Sequence, residues 1–411
     1  MRKTPAFVLF CLLASPSAAE AATWVVDASG SGDFPSIHGA IAVVSAGDVL
    51  LVKAGTYPPF TLTKDLSILG DPHALPTVTG VSLVSTHDAR IAGLRFWLLD
   101  VASSNGVVVV DECETMGAGV GLDGCAWSMR IRNCAQVHVA RSTIRGRDGD
   151  AFCEGPGLVV ENSTVTVTRS ELTGGDGWGD DFNGYAGRRA LLVSGASNVI
   201  LAACDLTGGN GGDPNIAISG QAGDGAPAAR VSAPATLTAR GNSGHEWIGG
   251  YGGFGGFPGQ DALFAVEGTG TLVFSGVAAT PAAFSPALTA SFPSPPEPFV
   301  DLTNTDVPSG FVRVNLWGPA GNVQWLLASA VPARTTLFGV DGTLWLSPFQ
   351  TLAVLPIPTK GQALSENLLF QLPPSLVGLE SLLVTFQGFA TGLGAGGAHL
   401  ATNPAHVLIR R

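Results

Sequence analysis

The stretch Gly174-Gly175-Asp176-Gly177-Trp178-Gly179-Asp180-Asp181-Phe182-Asn183-Gly184-Tyr185 holds the residues best suited to chemistry. Asp180 and Asp181 are adjacent, and two ionised neighbours repel, which raises one pKa and makes a candidate acid and base pair. The same carboxylates, with Asp176, are hard oxygen ligands of the kind Ca²⁺ takes. Trp178 and Tyr185 add flat rings for stacking on a sugar. A second turn, Gly208-Gly209-Asn210-Gly211-Gly212-Asp213, contributes Asp213 as a further metal ligand. Calcium, on Asp176, Asp180 and Asp213, is the one cofactor these residues suggest.

Other residues offer binding rather than reaction. Arg130, Arg132, Arg141, Arg145 and Arg147 form the basic cluster of the chain, and Arg130 and Arg132 share one strand face. Such a stripe suits bidentate contact with a uronate carboxylate, although a solvated outer face of the solenoid is the better account of it. The run Gly249 to Phe257 alternates aromatics, Tyr251 among them, with paired glycines. It reads either as a sugar-contacting loop or as a turn-rich cover. His245 and Glu246 are neighbours, so on a strand they face opposite ways. His138 lies between two core positions and is expected to point outward. For all the Gly, Asn and Asp loops the plain reading is tight turns, whose positive φ angles these residues accept.

The elements that position these residues show as a repeat. Two apolar residues two apart, a small residue three later, an apolar residue and a glycine run as Val108, Val110, Cys113, Thr115, Gly117. The pattern returns at Val137, Val139, Ser142, Ile144, Gly146, then at Val165, Val167, Ser170, Leu172, Gly174, and at Val199, Leu201, Cys204, Leu206, Gly208. A weaker copy begins at Ala89, and the successive spacings are 19, 29, 28 and 34 residues. Short strands at Met129, Leu158 and Leu191 precede three copies. Period-two alternation sends one set of side chains inward. Two short strands per unit cannot bury a face alone, but stacked units make a solenoid of side-chain ladders. The growing spacing must enter loops, on the side where binding or chemistry usually sits.

Ile37, Ala40, Ile41 and Val44 mark one apolar helix face, opened by Pro35 and Ser36 and stopped near Gly47. A short helix there would cover the solenoid's open end. Val26-Asp27, Gly30-Ser31-Gly32-Asp33-Phe34, Ser36-Ile37, Ala40-Ile41, Gly47-Asp48, Val52, Gly55, Tyr57 and Gly70 resemble the opening of pectinesterases and other pectin-lyase-like β-helix proteins. That resemblance implies a right-handed parallel β-helix with an N-terminal capping helix. It does not imply one reaction, because the superfamily holds lyases, hydrolases, esterases and non-catalytic proteins. Gly179-Asp180-Asp181 resembles the acidic pair of polygalacturonases, but their accompanying Asn-Thr-Asp, Gly-His-Gly and Arg-Ile-Lys signatures are incomplete or absent. Asp181-Phe182-Asn183-Gly184 is one residue short of the pectinesterase nucleophile motif. Gly208 to Asp213 resembles the first six positions of the calcium-binding β-roll nonapeptide, which then breaks at Asn215.

Only 13% of residues are charged against 55 glycines, a balance that points to an all-β protein. The formal net charge of −11 argues against nucleic acid, whose phosphates call for basic surfaces. Residues 1–22 read as an export signal, with Arg2 and Lys3, an apolar stretch from Ala6 to Ala14, and Ala19-Glu20-Ala21 as a small-x-small cleavage site. No segment is a membrane span. Cys113, Cys125, Cys134, Cys153 and Cys204 remain after the signal, an odd number without zinc spacing, and read mainly as small buried side chains.

The solenoid is expected over 23–280, a Pro-rich linker over 281–298, and a small C-terminal β-sandwich-like domain over 299–411. Strands are expected at Phe311–Leu316, Val323–Ala328, Thr343–Leu346, Leu368–Leu372, Ser381–Phe386 and His406–Ile409. The ending, with Phe386-Gln387-Gly388 and Thr402-Asn403-Pro404, resembles C-terminal modules attached to secreted bacterial repeat proteins, and with no catalytic constellation in its sequence it reads as a structural, attachment or sorting domain. The leading expectation is a secreted, non-catalytic binder of polysaccharide or cell-surface glycan. The alternative is a carbohydrate-active enzyme (polysaccharide lyase, glycoside hydrolase or pectinesterase-like esterase) using the acidic loops.

Overall fold

The computed structural model describes residues 22–71, 74–116, 127–148, 155–215, 220–240, 246–255, 257–275 and 284–291, and strands between 299 and 410. The export-signal expectation falls on residues outside that description, as do Cys125, Cys153, His245 and the strand expected at Thr343–Leu346.

The chain is a right-handed parallel β-helix. Eleven strands, from Thr23–Val26 to Thr289–Ser291, stack in sequence order into one long parallel face. Two further parallel faces of eight strands complete the coil. One turn of the coil runs Met129–Arg132, Gln136–Ala140, Thr143–Arg145, with one strand on each face. The valines stack as the repeat requires: Val108 over Val137, Val165 and Val199, and Val110 over Val139, Val167 and Leu201. The latter ladder continues through Ala239 to Phe274, and every member is buried. Burying each such side chain is worth about 1.5–3 kcal/mol, which is how short strands hold together without hairpins.

Each coil has three strands where two were expected. The tail of the repeat, at Thr115, Ile144, Leu172 and Leu206, is a separate strand. A single residue with positive φ divides it from the valine strand: Glu112, Arg141, Arg169 and Ala203 in successive coils. None is glycine, so nothing in the residue type announces the bend. The small residue that follows turns inward. Ser142 Oγ accepts from the Cys113 N–H at 3.1 Å, and Ser170 Oγ from the Ser142 N–H at 3.1 Å. These contacts satisfy turn donors that face no water. Cys113, Cys134 and Cys204 are buried within the coil.

The capping helix spans Ile37–Val43 and buries Ile37, Ala40 and Ile41, with Ser36 as N-cap accepting from the Gly39 N–H. At the other end Trp247, Phe274 and Phe284 stack, with ring centroids 6.3 and 5.0 Å apart. The outward side of the long face is also buried in part. Val49, Leu69, Ala92, Val107 and Val109 form a second apolar cluster. His138 does lie on that outer side but is buried, with Nε2 2.7 Å from Gln136 Nε2.

Thr289–Ser291, inside the stretch expected to be a linker, pairs with Thr271–Ser275 as the last strand of the long face. Its prolines flank the strand and leave its donors intact. Beyond it, the C-terminal strands form two largely antiparallel sheets. Phe299–Thr303, Phe311–Trp317 and Glu366–Gln371 make the smaller sheet, and Val323–Ser329 lies between Thr351–Pro358 and Ser381–Ala390 in the larger. Thr351–Pro358 was hidden in the sequence by Pro356 and Pro358. It is an edge strand, where a missing N–H leaves no ladder bond unmade.

Candidate functional site

Three long loops all leave after the third strand: 174–190 after Glu171–Thr173, 208–228 after Asp205–Thr207, and 249–265 after Trp247–Ile248. They do not splay. Each runs out as one arm and back as another, and the arms bond side by side. The Gly177 N–H donates to the Asn210 carbonyl at 2.8 Å and the Gly211 N–H to the Tyr251 carbonyl at 2.8 Å, joining the three outgoing arms. Gly184 to Gln221 at 2.6 Å and Gly225 to Gln260 at 2.8 Å join the returning arms. Gly212 to Tyr185 (2.8 Å), Gly223 to Gly212 (2.9 Å) and Gly253 to Gly223 (2.9 Å) tie the two layers together.

Among the described residues, no glycine of these three loops has a positive φ. The tight-turn reading of the loops is therefore corrected: glycine is required for room. A Cβ at Gly177 would collide with the Tyr185 carbonyl oxygen, one at Gly184 with that of Gly212, and one at Gly250 with that of Gly209. Every third residue from Ile248 to Leu263 is exposed, while Gly250 and Gly253 between them are buried. Thr207, Asn210 and Asp213 repeat that spacing in the preceding loop. A period of three, lateral bonding and the absence of positive φ describe polyproline-II-like arms, packed so closely that glycines such as Gly177, Gly184 and Gly250 admit no Cβ. The third position carries whatever the loop displays.

That position explains where the predicted residues fall. Asp176 Oδ1 accepts from the Asn210 N–H at 2.8 Å, Asn210 Oδ1 from the Tyr251 N–H at 2.9 Å, and Asp213 Oδ1 from the Phe254 N–H at 2.6 Å. Asp180 sits at the tip of its loop. One of its oxygens accepts from the Phe182 and Asn183 N–H groups at 2.9 and 2.7 Å, and the other from the Tyr185 hydroxyl at 2.6 Å. The Tyr185 hydrogen bond, then those from the backbone, hold its carboxyl below the usual range, the opposite of a general acid. Asp181 faces elsewhere, 3.3 Å from Asn215 Nδ2. Asp176 and Asp180 thus lie on the first loop and Asp213 on the second, each engaged with different donors. Among the described residues no three His, Cys, Asp or Glu side chains gather as metal ligands do.

Arg130 and Arg132 share a face as expected, but a carboxylate already lies between them. Asp100 Oδ2 is 2.9 Å from Arg130 and 3.2 Å from Arg132, and Arg130 lies 4.2 Å over the Trp127 ring. Burial works to raise the Asp100 pKa, but the hydrogen bonds from the two arginines outweigh it and the net shift is downward.

The slab's aromatics are in the open. Trp178, Phe182, Tyr251, Phe254 and Phe257 range from 62% exposed at Phe182 to 80% at Phe254, and the aliphatic Leu263 is 80% exposed as well. Phe254 and Phe257 belong to the run of aromatics and paired glycines read from the sequence, whereas Phe182 and Leu263 follow no glycine pair and were not singled out.

No protein-family model matches the chain, and no curated protein does. Among solved structures, the enzymatically active domain of tailspike protein 2 of bacteriophage CBA120 is similar at 8% identity, over 88% of this chain and 72% of that one, with a TM-score of 0.35. The full-length tailspike protein 2 of an Escherichia coli O157:H7 bacteriophage matches at 9% over 88% of this chain and 64% of that one, with a TM-score of 0.29. Pectate lyase Pel9A matches at 14% over 66% and 77%, with a TM-score of 0.24.

Proposed function

We propose that this protein is a secreted, non-catalytic glycan binder, and that the glycine-rich slab is its contact surface. Residues 1–22 act in export, the coil carries the slab, and residues 299–411 serve attachment or sorting. The observation that carries the reading is the set of exposed rings held on a hydrogen-bonded scaffold. Solvent-exposed aromatics are stabilised by covering them, and sugar rings present apolar faces of matching shape. One oxygen of Asp176 and one of Asp213 accept backbone N–H groups, and hydrogen bonds hold the Asp180 carboxyl below its usual range, which supports binding over acid and base catalysis.

A polysaccharide panel run with a lyase and a reducing-end assay, with Ca²⁺ and with chelator, tests this. Retention of glycan without new reducing ends or unsaturated products is expected in both conditions. Turnover abolished by Asp180→Ala or Asp181→Ala would replace the reading with the enzymatic one.

A further inference from the structure

We infer that Tyr251 and Phe254, with Ile248 at their inner end, form a linear site for an extended, uncharged polysaccharide. The site rests on the glycan-binding reading above and narrows it to a ligand class. Ile248, Tyr251 and Phe254 follow one another at intervals of three on one outgoing arm, and all three are exposed. At the polyproline-II rise, successive members stand ~9 Å apart on the same side. Two sugar units of an extended β-1,4-linked chain span about that distance, so every second sugar would meet the next side chain in the row.

The hydrogen-bonding groups lie beside the rings. The Asn210 and Asp213 side chains reach the Tyr251 and Phe254 N–H groups at 2.9 and 2.6 Å, and both remain exposed to meet hydroxyls. The arm is held before any ligand arrives: Gly250 and Gly253 donate to the Ala226 and Gly223 carbonyls at 2.8 and 2.9 Å. Little ordering therefore remains to oppose binding.

Charge selects against acidic sugars. Asp176 and Asp213 share the third-position rows with Asn210, Tyr251 and Phe254. Arg145, in register through Thr173 and Thr207 with Ile248, is shared between Asp148 at 3.5 Å and Asp176 at 3.8 Å. A uronate or sulfate would meet the like charge of Asp213, whose carboxylate, among the described residues, accepts only a backbone N–H. A second copy of the chain is a poorer occupant, because three side chains in a line fall short of the ~800 Å² per partner that stable interfaces use.

Affinity electrophoresis of the full chain in gels holding mixed-linkage β-glucan, galactomannan, polygalacturonate or heparin tests the site. Retardation by a neutral polymer is expected, insensitive to salt, and weakened at least tenfold by Tyr251→Ala and by Phe254→Ala. Val43→Ala, exposed on the capping helix and away from the slab, should bind as the parent does, and unchanged melting temperatures would show that the variants fold. Preferential, salt-sensitive binding to polygalacturonate or heparin would overturn the site's ligand class while leaving a glycan binder. Neutral binding that survives both ring removals would overturn the site itself. Ring removal that changes the sedimentation of the protein without polymer would assign the strip to self-association instead. No retardation by any polymer would sink the glycan reading along with this one.

Discussion

The coil and the slab it carries are both parallel stacks, yet they use glycine in opposite ways. In the coil the sharp bends fall on Glu112, Arg141, Arg169 and Ala203, ordinary residues held at positive φ. In the slab the backbone is unstrained, and glycine is placed where a Cβ would strike a neighbouring carbonyl. The coil is held by side chains stacked inside it. The slab is held by backbone bonds between arms, and its side chains are left for display. A strained bend is tolerated where buried ladders on either side over-determine it. An arm with no core of its own must bring backbones into contact, and only glycine allows that approach.

The difference is open to direct attack. Leu201→Ala, in the middle of a buried ladder, should lower global stability by about 2–5 kcal/mol, read from denaturant midpoints at constant slope. A much smaller loss would mean that the ladders are not what holds the coil. Gly177→Ala forces a methyl group into the Tyr185 carbonyl and should cost about 1–3 kcal/mol. Its effect should be local: protease cuts within 174–265 rise steeply while the coil melts nearly as before. If the whole molecule unfolds together instead, slab and coil are one cooperative unit. Ala203→Gly relieves a left-handed residue and should change stability by less than about 1 kcal/mol in the favourable direction. A large loss there would show that the Ala203 methyl group packs, and that the bend is not the site of strain.

The smallest effect concerns pH. Asp100 is depressed in the folded state, so its contribution is present above the unfolded carboxyl pKa of about 3.9 and is lost as pH falls through the lower folded value. The parent should therefore lose more stability than Asp100→Asn between about pH 4 and pH 2. Parallel curves for the two proteins would refute the role given to Arg130 and Arg132.

Much of the coil was legible because its signal is periodic and local. Val108, Val137, Val165 and Val199 sit at corresponding points of a repeat, and the structure stacks them in that order. Ile37, Ala40 and Ile41 announced the cap in the same way. The third strand escaped notice because a one-residue bend at Arg141 or Ala203 leaves no glycine or proline behind. Around the candidate site less could be read. Asp180 and Asp181 are chemically apt for catalysis as a pair, but a carboxylate's task depends on which donors reach it. Phe182, Asn183 and Tyr185 reach Asp180 only once the loop tip is folded. The aromatic residues of 249–257 were visible as residues; that they stand exposed on a scaffold was not.

Alone, the order of amino acids determined a capped parallel solenoid, because a side-chain ladder needs only the same pattern to return in each coil. Folding in three dimensions decided what the glycines are for and which carboxylates are already engaged. Both depend on carbonyl and N–H groups brought alongside from loops more than thirty residues away, as Asn210 is beside Asp176, and no local pattern records those neighbours.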